Sequence, residues 1–385
     1  MHGCRNSLHC IVPPYMLRNI VENGTAEQRQ QALRNLVSAE AVRIQREVAA
    51  KEGPPQGMLE AVGGLDRIVY SAQNGGNLPG QQVRAEGGPA TGDAAADEAY
   101  DGAGATYHLY KDIYNRDSID GNGARLDSTV HYRVGYDNAF WNGQQMVYGD
   151  GDEDLPTDQR LFNRFTIAID IIGHELTHAV TQFTANLIYQ GQSGALNESM
   201  SDVFGSLVKQ RKLGQTAAEG DWIIGEGLFT ARVNGTGIRN MKQPGTAYND
   251  PVLGKDPQPG HMKDYVQTQA DNGGVHINSG IPNRAFYVTA FNIGGFAWEK
   301  AGQIWYVTLQ SKLSQSANFV TAAAKTYEAA RDLYGQGSLE QQAVKAGWAE
   351  VGIDVEQTAP PDPGTRPGCA TTLMGLARSL FGPRG

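Results

Sequence analysis

The residues with the clearest chemical potential stand in one short run, Gly173-His174-Glu175-Leu176-Thr177-His178. On a helix, residues four apart are rotated by about 400°, so His174 and His178 project from one face a turn apart and both imidazoles can reach one cation. Glu175 falls about 100° further round, beside that cation without ligating it, where a base for a bound water would stand. A catalytic zinc takes three protein ligands and keeps a position for water. The third ligand is expected from Asn197-Glu198-Ser199-Met200-Ser201-Asp202, where Glu198 heads a second apolar helix. Asp202, one turn beyond on the same face, can accept the ring N–H of a ligating histidine, and Asn197 is expected to orient the ligands alongside it. Without a metal, two histidines and an acid in such apolar surroundings would lack partners.

Two helices must hold these side chains, and the periodicity predicts helices over 167–185, 194–211, 282–299, 301–312, 318–334 and 339–348. The last carries a capping box in Ser338 and Gln341. The preceding region reads differently. Arg67-Ile68-Val69-Tyr70 and Gln81-Gln82-Val83-Arg84 flank an Asn/Gly-rich turn and predict a hairpin, with β-like runs at 129–133 and 145–148 and one helix over 97–115. The expected fold class is α+β, with a β-rich region over 56–166 and a helical one over 167–353. A leading segment, 1–55, contains a helix from Thr25, with Thr25 and Gln28 as a capping box and Leu33, Leu36, Ala41, Ile44 and Val48 as its apolar face. It closes on an exposed linker, Gly53-Pro54-Pro55-Gln56-Gly57. Residues 354–385 read as a Pro-rich linker and a short tail, too short in its apolar part, 371–381, to span a bilayer.

A chain of 385 residues has room for two or three domains. Its 48 glycines exceed the usual share of roughly 7% and imply many tight turns. The net charge of −9, without a long Lys/Arg run, excludes nucleic acid and anionic membrane as partners. Cys4, Cys10 and Cys369 lie near the chain ends, so no disulfide staples the central region. The first residues lack an apolar stretch of secretory length, and Pro13-Pro14 interrupts what there is. The acidic run Asp150-Gly151-Asp152-Glu153-Asp154 lacks the EF-hand pattern and is expected to be a solvated turn.

Three blocks carry a family resemblance: YDNAFWNGQQMVYGDGD at 136–152, IDIIGHELTHAVTQFTANLIYQGQSGALNESMSDVFG at 169–205, and DNGGVHINSGIPN at 271–283. Over about 65–353 the sequence resembles the thermolysin family of zinc peptidases. The resemblance implies a β-rich N-terminal subdomain, a helical C-terminal subdomain, and a cleft between them crossed by the His174 helix. It also implies His174, His178 and Glu198 as zinc ligands, Glu175 as general base, Tyr189 and His276 as oxyanion donors, and Asp271 orienting His276. Asn138, Ala139 and Arg239 would bind the substrate backbone. Phe162, Phe165, Ile171 and Ile238 would wall the pocket for the residue after the scissile bond. The positions matching the family's double calcium site are Asp170, Lys209, Asp221, Ile223 and Glu226, which leaves at most one calcium, held by Asp170, Asp221 and Glu226 with help from Glu219.

The run Val12-Pro13-Pro14-Tyr15-Met16-Leu17 is similar to the protealysin branch of that family, which makes 1–55 a short propeptide and intramolecular inhibitor. The implied function is that of a bacterial zinc endopeptidase zymogen acting on proteins or peptides as a monomer. It would be secreted without a standard signal peptide; the alternative is cytoplasmic. A zinc-dependent binding module would be expected to lose Glu175 or an oxyanion donor, and both are present. An aminopeptidase would carry an acidic anchor for the substrate amine, and no such motif is found.

Overall fold

The short β-like runs of the first half assemble into one sheet, and the amphipathic runs of the second half pack as helices beside it. The computed structural model describes residues 9–38 and 63–356. Ala41, Ile44 and Val48, the linker at 53–57, Cys4, Cys369 and the tail at 371–381 lie outside the described residues. The elements of the leading segment are β1 (His9–Cys10), α1 (Pro14–Asn23) and α2 (26–38). Then come β2 (Arg67–Ser71), β3 (Gln81–Ala85), α3 (Ala94–His108), β4 (Leu126–Val130), β5 (Ala139–Trp141) and β6 (Met146–Tyr148). The helices that follow are α4 (Ile169–Gln182), α5 (Gly191–Leu213), α6 (Asp271–Asn278), α7 (Gly280–Ile293), α8 (Lys300–Ser311), α9 (Phe319–Tyr334) and α10 (Leu339–Glu350). Short strand pairs, β7 (Ile223–Ile224) with β8 (Arg239–Asn240) and β9 (Asn249–Asp250) with β10 (Gly254–Lys255), sit between α5 and α6.

The sheet runs in the order β1-β5-β6-β4-β2-β3. The expected hairpin forms β2 and β3, with its register broken between Val69 and Tyr70. At the opposite edge the leading segment adds β1 antiparallel to β5, pairing His9 with Trp141 and Cys10 with Phe140. Helix α3 ends earlier than its apolar pattern suggests, and the chain continues through a wider π-type turn over Leu109–Ile113.

Helices α4 and α5 cross closely because each presents a glycine at the contact. A Cβ on Gly173 would lie 3.0 Å from Gly205 Cα, and one on Gly205 would collide with Asp170 O. This approach brings the ligand-bearing faces together. Helix α5 starts at Gly191, so Glu198 is not at its head but two turns inside it. The Ser193 hydroxyl, which donates to Ile188 O and Gln190 O, holds that extra first turn.

Two expectations are overturned. Helix α2 keeps its capping box, with Thr25 N–H donating to Gln28 Oε1 and Gln28 N–H to Thr25 Oγ1. Its docked face, however, is mostly polar: Gln28, Gln31, Asn35 and Ser38 are buried around Ala32, and of the expected apolar residues Leu36 packs against the core as expected while Leu33 is 50% exposed. The surface beneath offers acceptors, among them Gln159 O, Gly135 O and the Asp137 and Asp152 carboxyl groups, so side-chain amides satisfy it where leucines would leave it unpaired. The acidic turn is likewise not solvated throughout. Asp152 is buried and accepts from Leu161 N–H and Phe162 N–H, because it ties that turn to the following strand-like segment.

Candidate active site

His174 and His178, on consecutive turns of α4, are buried with their Nε2 atoms 3.0 Å apart. Glu198 on α5 stands 3.6 Å from His174 Nε2 through Oε2 and 3.5 Å from His178 Nε2 through Oε1. The edges of a zinc tetrahedron with ligands at about 2.0–2.1 Å are about 3.3 Å. Three ligand atoms at these separations fit such a corner. Glu198 Oε2 is buried without a hydrogen-bond partner among the described residues, which a cation would remedy. The outer ring nitrogens are already taken: His174 Nδ1 lies 2.8 Å from Asp202 Oδ1, and His178 Nδ1 lies 2.9 Å from both Asn197 Oδ1 and Ser201 Oγ. Both Nε2 atoms are thereby turned toward the shared centre.

Asp202 carries more than its histidine. Arg239 donates to it through Nε and Nη2, each at 2.8 Å, and Asn283 Nδ2 adds a third bond at 2.8 Å. Burial pushes the Asp202 carboxyl up, but the Arg239 and His174 partners override it and hold the group below the ordinary carboxylate range. Sequence reading placed Asp202 behind a histidine but missed its pairing with Arg239. Ser201, Asn283 and the backbone of Trp141 were missed as well, and no spacing rule marks them.

Glu175 is buried beside the triad, and its Oε2 accepts from Trp141 N–H at 3.1 Å. Facing Glu198, His276 Nδ1 sits 2.6 Å from Asp271 Oδ1 while His276 N–H donates to Asp271 Oδ2. Burial opposes a charge on His276, yet Asp271 and Glu198 outweigh it and raise the ring to about 9. The Tyr189 hydroxyl lies 3.1 Å from His276 Nε2 and donates to Glu198 Oε1, with burial and Glu198 raising its pKa well above that of a free phenol.

Asn138, Ala139 and Arg239 all meet the leading segment. Val12 N–H donates to Asn138 Oδ1 at 3.0 Å, and Asn138 Nδ2 donates back to Val12 O at 3.4 Å. Ile11 N–H donates to Ala139 O, Arg239 Nη1 donates to Ile11 O, and His276 Nε2 lies 3.0 Å from Cys10 O. Phe162, Phe165, Ile171 and Ile238 are fully buried in the same apolar cluster as Ile11 and Val12. The two phenyl rings stand 6.0 Å apart, and Ile171 and Ile238 meet over Gly225, where a Cβ would touch both.

At the implied calcium position, Lys209 Nζ occupies the centre. It lies 3.2 Å from Asp170, 2.9 Å from Asp221 and 3.6 Å from Glu226, and donates to Ile223 O at 2.9 Å. Burial lowers its pKa, but Asp170 and Asp221 prevail and take it to about 12. Glu219 is absent from this cluster: its carboxylate accepts from Thr216 N–H and Oγ1, closing its own turn.

A buried His-His-Glu corner with an acid beside it and a Tyr and a His facing it is an arrangement suited to a metallopeptidase. The thermolysin metallopeptidase catalytic domain matches residues 67–182, its α-helical domain matches 185–353, and the protealysin propeptide matches 9–37. An extracellular metalloprotease of Pectobacterium carotovorum subsp. carotovorum is 49% identical over 90% of this chain and 97% of its own length. Protease PrtS of Photorhabdus sp. (strain Az29) is 47% identical over 91% and 94%. The solved precursor of protealysin from Serratia proteamaculans superposes with a TM-score of 0.80 at 51% identity, covering 90% of this chain and 99% of that one. The chain belongs to the thermolysin metallopeptidase family, as a zinc endopeptidase with a protealysin-type propeptide.

Proposed function

We propose that Glu175 is the general base of peptide-bond hydrolysis and that the leading segment silences the enzyme by lying where the substrate backbone runs. The observation that carries the first part is the buried Glu175 carboxylate, fixed by Trp141 N–H beside the three converging ligands. Zinc, when bound there, supplies Lewis acidity to a water and to a peptide carbonyl. Glu175 takes the water's proton and later hands it to the leaving amine. Tyr189 O–H and the charged His276 ring donate to the carbonyl oxygen as it becomes negative, and Asp271 keeps that ring aimed. Arg239 holds the next carbonyl, and Asn138 and Ala139 hold the backbone.

In the full-length chain these same groups bind Cys10 O, Ile11 and Val12, which supports cis inhibition by the leading segment. A chain made uncleavable over 53–57 is expected to stay silent, and removal of the segment to release activity on end-blocked peptides. Full activity in the uncleavable chain would overturn the inhibitor assignment. Activity confined to peptides with a free amino terminus would instead favour an aminopeptidase.

Phe162, Phe165, Ile171 and Ile238 form the pocket after the scissile bond. Burying a Leu, Ile or Phe there contributes roughly 1.5–3 kcal/mol, enough for at least about tenfold preference. Cleavage-site profiling dominated by acidic or basic residues at that position would contradict the assignment. The catalytic unit divides into 56–166 and 167–353, flanked by the propeptide and by 354–385. The enzyme acts as a monomer and is secreted. N-terminal sequencing of active protein from culture fluid and from cell extract separates this from a cytoplasmic location.

Lys209 substitutes for one calcium by direct charge pairing. Calcium needs six to eight oxygens, and an ammonium among Asp170, Asp221 and Glu226 takes the space and the charge. Calorimetric titration of the zinc-loaded, calcium-stripped enzyme should find no more than one tight site, and Lys209→Glu should increase affinity. Two tight sites in the unmodified protein would refute the replacement.

A further inference from the structure

Helix α2 meets the catalytic unit at two buried carboxyl groups that have no cationic partner among the described residues. Gln31 Nε2 directs one N–H to Asp137 Oδ1 at 3.1 Å and the other to Asp152 Oδ1 at 2.8 Å, and Asn35 Nδ2 donates to Asp137 Oδ2 at 3.0 Å. The two carboxyl groups lie within hydrogen-bonding reach of each other. Among the described residues no Lys, Arg or His forms an ion pair with either. Arg34 and Arg133 line the neighbouring cavity with Asn35 and Ser38, but Arg133 donates to Ser38 Oγ, and Asp154, of the same sign, adds to the repulsion on the pair. Gln31 Oε1 is buried with no donor among the described residues.

Two adjacent anions in such a place repel each other and are poorly solvated, so one proton is far better accommodated than none. Asp152 has the stronger claim to the charge, since two backbone N–H groups and Gln31 donate to it. Asp137, held only by two neutral amides, takes the proton.

We propose that α2 docks on the Asp137–Asp152 pair with one proton shared between the carboxyl groups, so that the propeptide is latched at low pH and loosened as the pH rises. This deepens the inhibitor assignment and rests on it. Burial, then the facing carboxylate, lifts Asp137 well above the usual carboxylate range, and burial, with Asp154 adding to it, raises Asp152 as well. Carboxyl groups whose docked pKa is raised contribute stability that is complete below their free values. That contribution is lost as pH rises through the docked ones. The window therefore opens near the ordinary value of 3.8 and extends upward to the raised docked value of the shared proton.

The test is hydrogen–deuterium exchange of residues 26–38 in the full-length, zinc-loaded chain carrying Glu175→Gln, with rates corrected for intrinsic pH dependence. Intact mass first establishes that the chain has not cut itself, so a wrong base is recognised separately. Loss of one bound proton weakens docking by up to roughly tenfold per pH unit. Protection of this segment is expected to fall at least about tenfold between about pH 5 and pH 7 while α9 stays protected. Asp137→Asn, neutral and of the same shape, should keep the segment protected across the range. A flat profile in the parent overturns the latch, and so does an Asp137→Asn profile that follows the parent's. If the variant fails to fold, the parent's slope against α9 decides alone.

Discussion

Glu175→Gln is expected to abolish measurable peptidase activity, by at least about 10²–10⁴-fold, while one zinc per chain remains bound. The carboxylate stands beside the three ligands and is aimed by Trp141 N–H without being needed to hold the metal. An amide of the same shape keeps the packing but cannot take a proton from water. His174→Ala is expected to lose both activity and metal, because it removes one corner of the ligand set. The paired measurement is turnover on an end-blocked peptide after propeptide removal, together with zinc content per chain. A Gln variant hydrolysing peptide near the parent rate would show that another group is the base.

Asp202→Ala is expected to have the second largest effect, and on two readouts at once. The carboxylate holds His174 in orientation and neutralises the buried Arg239. Loss of such an orienting partner costs about 10–100-fold in metal affinity. An arginine left buried without its counter-ion costs about 3–5 kcal/mol of stability. Denaturant unfolding and competition with a zinc chelator report the two separately. In the double variant Asp202→Ala with Arg239→Met the unpaired charge is gone, so stability should recover while zinc affinity stays low. An unchanged unfolding midpoint and unchanged zinc affinity in the single variant would show that the network contributes neither effect.

Much of the ligand set was legible in the linear chain because its geometry is local. The rise and rotation of a helix alone put His174 and His178 on one face, and the spacing to Glu198 and Asp202 needed only a second helix. The capping residues Thr25 with Gln28 and Ser338 with Gln341 could be read for the same reason, since both partners of each bond lie within one turn. The hairpin of β2 and β3 follows from its alternation and its turn. Roles for Tyr189, His276 and Arg239 are implied only by the family resemblance, as nothing about a lone tyrosine or arginine announces what it faces.

Tertiary structure decided what depended on partners far away in sequence. Arg239 reaches Asp202 across 37 positions, and Gln31 reaches Asp137 and Asp152 across more than 100. Hydrophobic periodicity chose Leu33 for the docked face of α2, and the fold exposed it. Burial follows complementarity with the opposing surface, and a surface of carbonyls and carboxyl groups is complemented by amides. The same reason governs Lys209: its charge could be counted from the chain, but only the convergence of α4, α5 and the loop after α5 sets that ammonium among three carboxylates.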